Sequence, residues 1–399
     1  MLKQSFFSNY LNKNYLLYGG SILISRGAEY LVLLIAAGLI TKDSYGQLEF
    51  YKKIIEVLSI LVAFGFPPLI LSYTRSQHSK KYFFVLALGF ISIFSALFAL
   101  ILIPFELSFL AIPLLFYAVF FTNGIFPVFH LVHDGSQKAS LYKMLVSVIF
   151  YGVILGLYYF GYYEYSFVIV NYILLPVGFI YTILVIRKLH ISQRKLVKYW
   201  KLLKRLLLSS FTLVLSNFAN IMFMYSDIFV ITLLSTQVNK EIADYSFPLN
   251  IANALLIIPF TLVQVDIEKI KNSEAASRLT MQKIIKLTLL GAVCIVAIYL
   301  LLINTAYAKY DNTLNIFYLI IIAKIFQSLA VLLGTKIMIY KLFRINLMIT
   351  SSIMVTNFVI SYLIYPHYGL IGIAAASIFS LFLRYLLLVI ANRKHKNKS

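Results

Sequence analysis

Apolar residues in this chain come in unbroken runs rather than in the short alternations of a half-buried strand, as in Leu31 to Ile40 and Val85 to Ile103. A bilayer core of roughly 30 Å is crossed by about twenty helical residues, so each apolar window of that length predicts one membrane span. Such windows lie near 15–40, 50–73, 82–103, 109–130, 141–160 and 166–186. A second set follows near 206–234, 242–265, 284–303, 314–334, 346–365 and 368–391. The pattern predicts an all-α polytopic membrane protein of about 12 transmembrane helices. Turn chemistry marks several of the boundaries: Asp43 to Gly46, Pro104, Gly161, and Tyr365 to Gly369. The first run is long and carries Arg26 and Glu29, so it is expected to stay on the chain as a span and not to be cleaved as a leader.

Composition strengthens this reading. Of 399 residues, 61% are hydrophobic and 12% charged, with a mean hydropathy of +0.88, far beyond what one soluble core absorbs. An outer-membrane barrel would show alternating segments of about ten residues instead. The net charge of +21 would suggest nucleic acid in a soluble protein. Here it follows from topology, because cytoplasmic loops of membrane proteins are enriched in Lys and Arg. With the N-terminus inside, 27 Lys and Arg fall on the cytoplasmic side and 5 on the other, which predicts both termini in the cytoplasm and no nucleic-acid partner. The densest basic stretch predicts a domain plan: an N-terminal lobe at 1–186, a basic cytoplasmic linker at 187–205 that reads as an amphipathic helix, and a C-terminal lobe at 206–399. Cys294, the sole cysteine, lies within a span and offers neither a disulfide nor a thiol metal site.

Ionised side chains at mid-membrane cost about 2.5–3.5 kcal/mol on insertion scales, so they face a partner or a hydrated cavity. Arg26 and Glu29 lie three apart in the first span, where pairing and cavity lining are both open. Lys52 and Lys53 share a face with Glu56 at the start of the second span; they either snorkel to the surface or line a cavity. In the seventh span Asn217, Asn220, Met224 and Asp227 form one stripe. Lys324, Gln327 and Ser328 do the same in the tenth, and Ser377, Ser380 and Arg384 in the twelfth. Asn250 and Asn253 add to the eighth, where, as for most of the Asn and Ser residues, interhelical hydrogen bonding is sufficient reason. Arg26, Lys52, Lys53, Lys324 and Arg384 outnumber Glu29, Glu56 and Asp227, so a cavity they line would be cationic and select an anionic substrate. Guanidinium and ammonium groups suit phosphate oxygens. His130, His133 and Asp134 form a short HxxHD cluster of low specificity for metal. No glycine-rich phosphate loop, nucleophile elbow or CxxC occurs, so the reading is of a non-enzyme without a cofactor, energised from elsewhere.

The halves also echo one another: Ser44-Tyr-Gly-Gln-Leu-Glu-Phe50 after the first span is similar to Ala243-Asp-Tyr-Ser-Phe-Pro-Leu249 after the seventh. Arg26, the Ser44 motif, Gly65-Phe-Pro-Pro-Leu-Ile70, and Asp227 before Ala243-Asp-Tyr-Ser together resemble the bacterial polysaccharide-exporting flippases of the O-antigen (Wzx) type. These belong to the multidrug/oligosaccharidyl-lipid/polysaccharide exporter superfamily. The resemblance implies a V-shaped bundle of two six-helix pseudo-symmetric lobes in the bacterial inner membrane. It implies transport of an undecaprenyl-diphosphate-linked oligosaccharide, an O-antigen or capsular repeat unit, to the periplasmic leaflet, with proton or sodium gradient coupling. Membrane lipids and other polysaccharide assembly proteins would be further partners. Arg26 matches the charged position of the first span and Asp227 the acidic position of the seventh, whereas Lys52, Lys53, Lys324 and Arg384 match only the general property of cationic lining. Two other readings stay open. A drug or metabolite exporter of the same superfamily would prefer an acidic cavity, and an integral-membrane polysaccharide polymerase or acyltransferase would, in the polymerase case, show a large external loop where this chain has only short ones such as Phe105 to Ser108.

Overall fold

The computed structural model describes the backbone of residues 13–73, 77–121, 124–340 and 342–396, and among these every regular element is a helix. The first half contains α1 (Lys13–Leu39), α2 (Lys42–Ala63), α3 (Phe66–Tyr73), α4 (Gln77–Leu102), α5 (Ala111–Val119), α6 (Ile125–His133), α7 (Ser136–Tyr159) and α8 (Ser166–Lys188). The second contains α9 (Gln193–Leu234), α10 (Val238–Asn253), α11 (Ile257–Val265), α12 (Ile267–Asn272), α13 (Glu274–Thr305), α14 (Leu314–Ile339) and α15 (Phe343–Lys396). Among the described residues seven helices are long and apolar enough to cross a membrane. Two shorter apolar helices, Ser108–Val119 and Met222–Leu234, add to these, and every window expected from hydropathy overlaps at least one helix.

Several windows are broken helices. The second span stops at Phe64 and Gly65, both at positive φ, and restarts at Phe66 with Pro67 and Pro68 in its first turn, where a missing N–H costs nothing. The 54 residues of α15 form one nominal helix, which if straight would extend about 80 Å, far more than a bilayer needs. It turns at Gly369 (φ 55°, ψ −140°), so Asn357 and Ser377, twenty residues apart, reach the same carboxylate. Expected turn residues Asp43 to Gly46 lie inside the first two turns of α2, with Thr41 Oγ1 accepting from the Ser44 amide ahead of them. Residues 187–205 do not form a separate linker helix. His190 breaks the chain at φ 45°, and from Gln193 onward the segment runs uninterrupted into the seventh span.

The chain divides into two compact units. One comprises Tyr51–Phe218 with the helix preceding Leu33; the other comprises Leu33–Phe50 with Ala219–Ser399. Residues 33–50 thus group with the second half, and the later change of unit falls between Phe218 and Ala219. Both units are apolar outside and carry polar groups within. Val177, Phe179 and Ile180 of α8 and Leu290 and Val293 of α13 are exposed, while Lys52, Lys53, Glu49, Asn171, Asp227 and Lys324 are buried. That inversion suits lipid as the solvent. The second unit also has an apolar core in which Phe223 of α9, Ala323 and Ala330 of α14, and Ile353 and Leu381 of the two arms of α15 pack together.

Candidate functional site

In the first unit α1 and α2 build a charge network. Helical spacing puts Glu29 one turn after Arg26, and Arg26 Nη1 donates to Glu29 Oε2 at 2.8 Å. Lys52 Nζ lies 2.8 Å from Glu29 Oε1 and 2.9 Å from Glu56 Oε1, so one buried ammonium joins a carboxylate on each helix. Ser25 and Ser147 share a hydrogen bond of 2.6 Å that ties α1 to α7 beside this network. Arg26 and Lys52 are thus matched by Glu29 and Glu56. The Arg26 side chain is 48% exposed and Glu29 only 7%, so the guanidinium is the open end of the network. Lys53 is buried on the neighbouring position of α2.

The second unit has a different centre. Asp227 on α9 accepts from Tyr245 Oη of α10, from Asn357 Nδ2 at 2.8 Å, and from Ser377 Oγ at 2.8 Å. Four helical segments therefore meet on one buried carboxylate through neutral donors. Ser226, beside it, accepts from Asn357 Nδ2 at 2.8 Å. Lys324 is buried on α14 and donates to Gln327 Oε1 at 3.0 Å. Arg384 Nη2 donates to Asn220 Oδ1 at 2.9 Å, and its guanidinium carbon lies 5.7 Å from the Phe223 ring centre. Among the described residues Arg384 forms no ion pair, and its Nε is buried without a hydrogen-bond partner.

The nine expected residues thus fall into two groups: Arg26, Glu29, Lys52, Lys53 and Glu56 in the first unit, Asn220, Asp227, Lys324 and Arg384 in the second. The side chain of Asn217 lies outside the described residues. Sequence reasoning missed Glu49, Tyr245 and Asn357. Glu49 is fully buried and accepts from Tyr45 Oη at 3.0 Å and Asn250 Nδ2 at 2.5 Å. It was legible as an acid in the Ser44 motif, which lies next to the echoing Ala243 motif: Lys42 Nζ pairs with Asp244 Oδ1 at 2.5 Å, and Gly46 abuts the backbone of Asn239. Tyr245 stands in that echoing motif without a charge to single it out, and Asn357 is an uncharged residue of a long apolar helix.

His130, His133 and Asp134 do meet at the end of α6, as hydrogen-bonding partners. His130 Nδ1 lies 2.7 Å from Asp134 Oδ2 and its Nε2 2.8 Å from Tyr181 Oη; His133 Nδ1 lies 3.2 Å from Asp134 Oδ1. Partial burial pushes the Asp134 carboxyl up, but the hydrogen bonds from His130 and His133 outweigh it and hold the group below its ordinary range. Both imidazoles turn a nitrogen to the carboxylate, an arrangement that uses the cluster's ligand atoms internally.

The same arrangement of helices occurs in solved transporters. An inward-facing multidrug resistance MATE family transporter of the MOP superfamily is 13% identical, with 96% of this chain and 94% of that one covered and a TM-score of 0.60. A point mutant of the Vibrio cholerae MATE transporter VcmN is 12% identical over 97% of each chain, with a TM-score of 0.60. An outward-facing MATE family transporter is 13% identical, covering 96% of this chain and 95% of that one, with a TM-score of 0.55. At these identities the likeness establishes the fold, that of a multi-pass membrane transporter. No curated protein sequence matches the chain. The family model for polysaccharide biosynthesis proteins matches residues 11–267, and the chain belongs to that family.

Proposed function

We propose that this protein is a flippase carrying an undecaprenyl-diphosphate-linked oligosaccharide, an O-antigen or capsular repeat unit, from the cytoplasmic to the periplasmic leaflet by alternating access. The observation that carries the reading is Arg384: a cation inside a span, held by the neutral Asn220 and Phe223 and by no carboxylate among the described residues, in a chain of the polysaccharide biosynthesis family. An uncompensated guanidinium away from water calls for an anion, and diphosphate oxygens match its fork. In the first unit Arg26 offers an anion an exposed face of its own, although Glu29 already engages one of its nitrogens. Lys53 and Lys324 would add positive potential, and the polyprenyl chain would stay in lipid. Asp227, which accepts only from neutral groups in the hydrogen bonds described above, is the better of the two expected carboxylates for proton or sodium coupling, because Glu56 is salt-bridged to Lys52.

The test is complementation of a deletion strain, with lipid-linked repeat units assayed in each leaflet. Wild type restores surface polysaccharide, while Arg384→Ala and Arg26→Ala, at wild-type expression, leave single units on the inner leaflet. Full surface polysaccharide with both variants would overturn the assignment. Accumulation of units on the outer leaflet in the deletion strain would indicate a polymerase. The solved relatives favour one second reading, a drug exporter of the same superfamily; it predicts efflux of cationic dyes by wild type and no polysaccharide phenotype.

A further inference from the structure

The 42 residues of α9 would extend about 63 Å, twice the hydrocarbon thickness of a bilayer, so its first turns lie beyond the apolar core. Those turns, residues 193–205, hold six Lys and Arg and no acid. They are laid along α4 by one face. Tyr199 stacks on Tyr82 at 4.8 Å and meets Phe83 at 5.9 Å, Trp200 stacks on Phe90 at 4.9 Å, and Leu203 is fully buried. At the head of the segment Lys81 Nζ donates to the Leu189 carbonyl at 3.0 Å.

The opposite face is a cationic stripe. Arg194, Lys198 and Lys201 follow at spacings of four and three and are all exposed, with exposed Lys204 at the edge. The stripe is flanked by Val197, 62% exposed, and Leu202, 43% exposed. Cations alone would suit water, nucleic acid or an acidic protein equally. Apolar side chains set between them on the same outward arc fit the boundary of a bilayer, where headgroups meet acyl chains. Trp200, the chain's sole tryptophan, has its ring against Phe90 and is itself 40% exposed, as expected of an interfacial anchor.

We infer that the first three turns of α9 form a docking surface for anionic lipid headgroups, such as phosphatidylglycerol, with Arg194, Lys198 and Lys201 taking the phosphate charge and Val197 and Leu202 entering the acyl boundary. The inference is independent of which substrate the protein carries. The same helix continues to Asn220 and Asp227.

Trp200 reports on this surface alone. The full-length protein is placed in nanodiscs doped with brominated phosphatidylglycerol or, at equal mole fraction, brominated phosphatidylcholine, and tryptophan quenching is compared. Quenching by the anionic lipid should exceed that by the zwitterionic one, and the excess should vanish as salt rises. In the Arg194→Gln/Lys198→Gln/Lys201→Gln variant the preference should fall by up to about fivefold per residue replaced. Equal quenching by the two lipids, insensitive to salt, would overturn the inference on the unmodified protein, whether or not the variant folds. The same result follows if the surface instead receives an acidic protein or nucleic acid.

Discussion

Two carboxylates in this protein have opposite surroundings, and each gives a separate experiment. Asp227 ties together α9, α10 and both arms of α15 through Tyr245, Asn357 and Ser377. Replacing it with alanine strands these donors, at about 1–3 kcal/mol for each buried group left unsatisfied. Asp227→Ala should therefore lower the melting temperature in detergent markedly, whereas Asp227→Asn, near in shape, should keep the fold and lose the dependence of transport on an imposed ion gradient. A gradient-dependent Asp227→Asn would remove Asp227 from coupling. Asp134, by contrast, is held below its ordinary value of 3.8 by His130 and His133 against the opposing effect of burial. A group whose pKa is depressed on folding contributes stability in full above its unfolded value and loses it as pH falls through the folded one. The melting-temperature difference between wild type and Asp134→Asn should thus be present in full at about pH 5 and shrink below about pH 4. Asp227 was legible in the sequence because a charge in an apolar run has to be explained. Its partners were less so: Ser377 stands in the polar stripe of the twelfth span and Tyr245 in the Ala243 motif, but that they and Asn357 meet Asp227 emerges only when distant helices converge.

At the scale of the element, two glycines do different work. Gly46 lies where α2 crosses α10 within the second unit, and a Cβ there would come within 1.7 Å of the Asn239 carbonyl oxygen. Gly46→Ala must push the helices apart, straining the Lys42–Asp244 pair and the Glu49–Asn250 bond, and should cost about 1–3 kcal/mol as an overpacked contact. Gly369 has open space around it but a φ of 55°. Gly369→Ala meets no neighbour and should cost about 1–3 kcal/mol from backbone strain alone, read as a lower thermal midpoint. A Gly46→Ala protein as stable as wild type would contradict the close crossing. Span positions were readable from hydropathy because lipid demands about twenty apolar residues whatever the tertiary contacts. Breaks within spans were less so: Gly65-Phe-Pro-Pro announces one chemically, and Asn123-Gly124 is a turn pair between α5 and α6, yet the apolar windows run through both. The basic segment 187–205 was readable as an amphipathic helix, though not as the first turns of α9, because nothing in its composition shows that the helix continues.

For the whole molecule, the count of 27 against 5 basic residues makes a prediction about sidedness that the fold leaves open. In a Cys294→Ser background, a cysteine at Glu106, on the short loop after α4, should react with an impermeant maleimide in intact cells. One at Ser192, just ahead of α9, should react only after the membrane is opened. The reverse pattern would invert the topology. The compact units do not divide the chain at a single point. Residues 33–50 group with the second half because Lys42, Tyr45 and Glu49 find their partners there, in Asp244, Asn250, Tyr310 and Asn312. Local sequence could not reveal this, since each of those contacts spans about two hundred residues or more.

This arrangement bears on any attempt to make the protein in two pieces. A gene cut near codon 192 yields a second fragment without the end of α1 and the start of α2. In it the Asp244 carboxylate loses its lysine, Asn250 loses Glu49, and Tyr307 loses the Leu34 carbonyl that its hydroxyl binds at 2.9 Å. That fragment made alone would be an incomplete object with an open polar wound, recoverable only when the first fragment is made in the same cell to fill it.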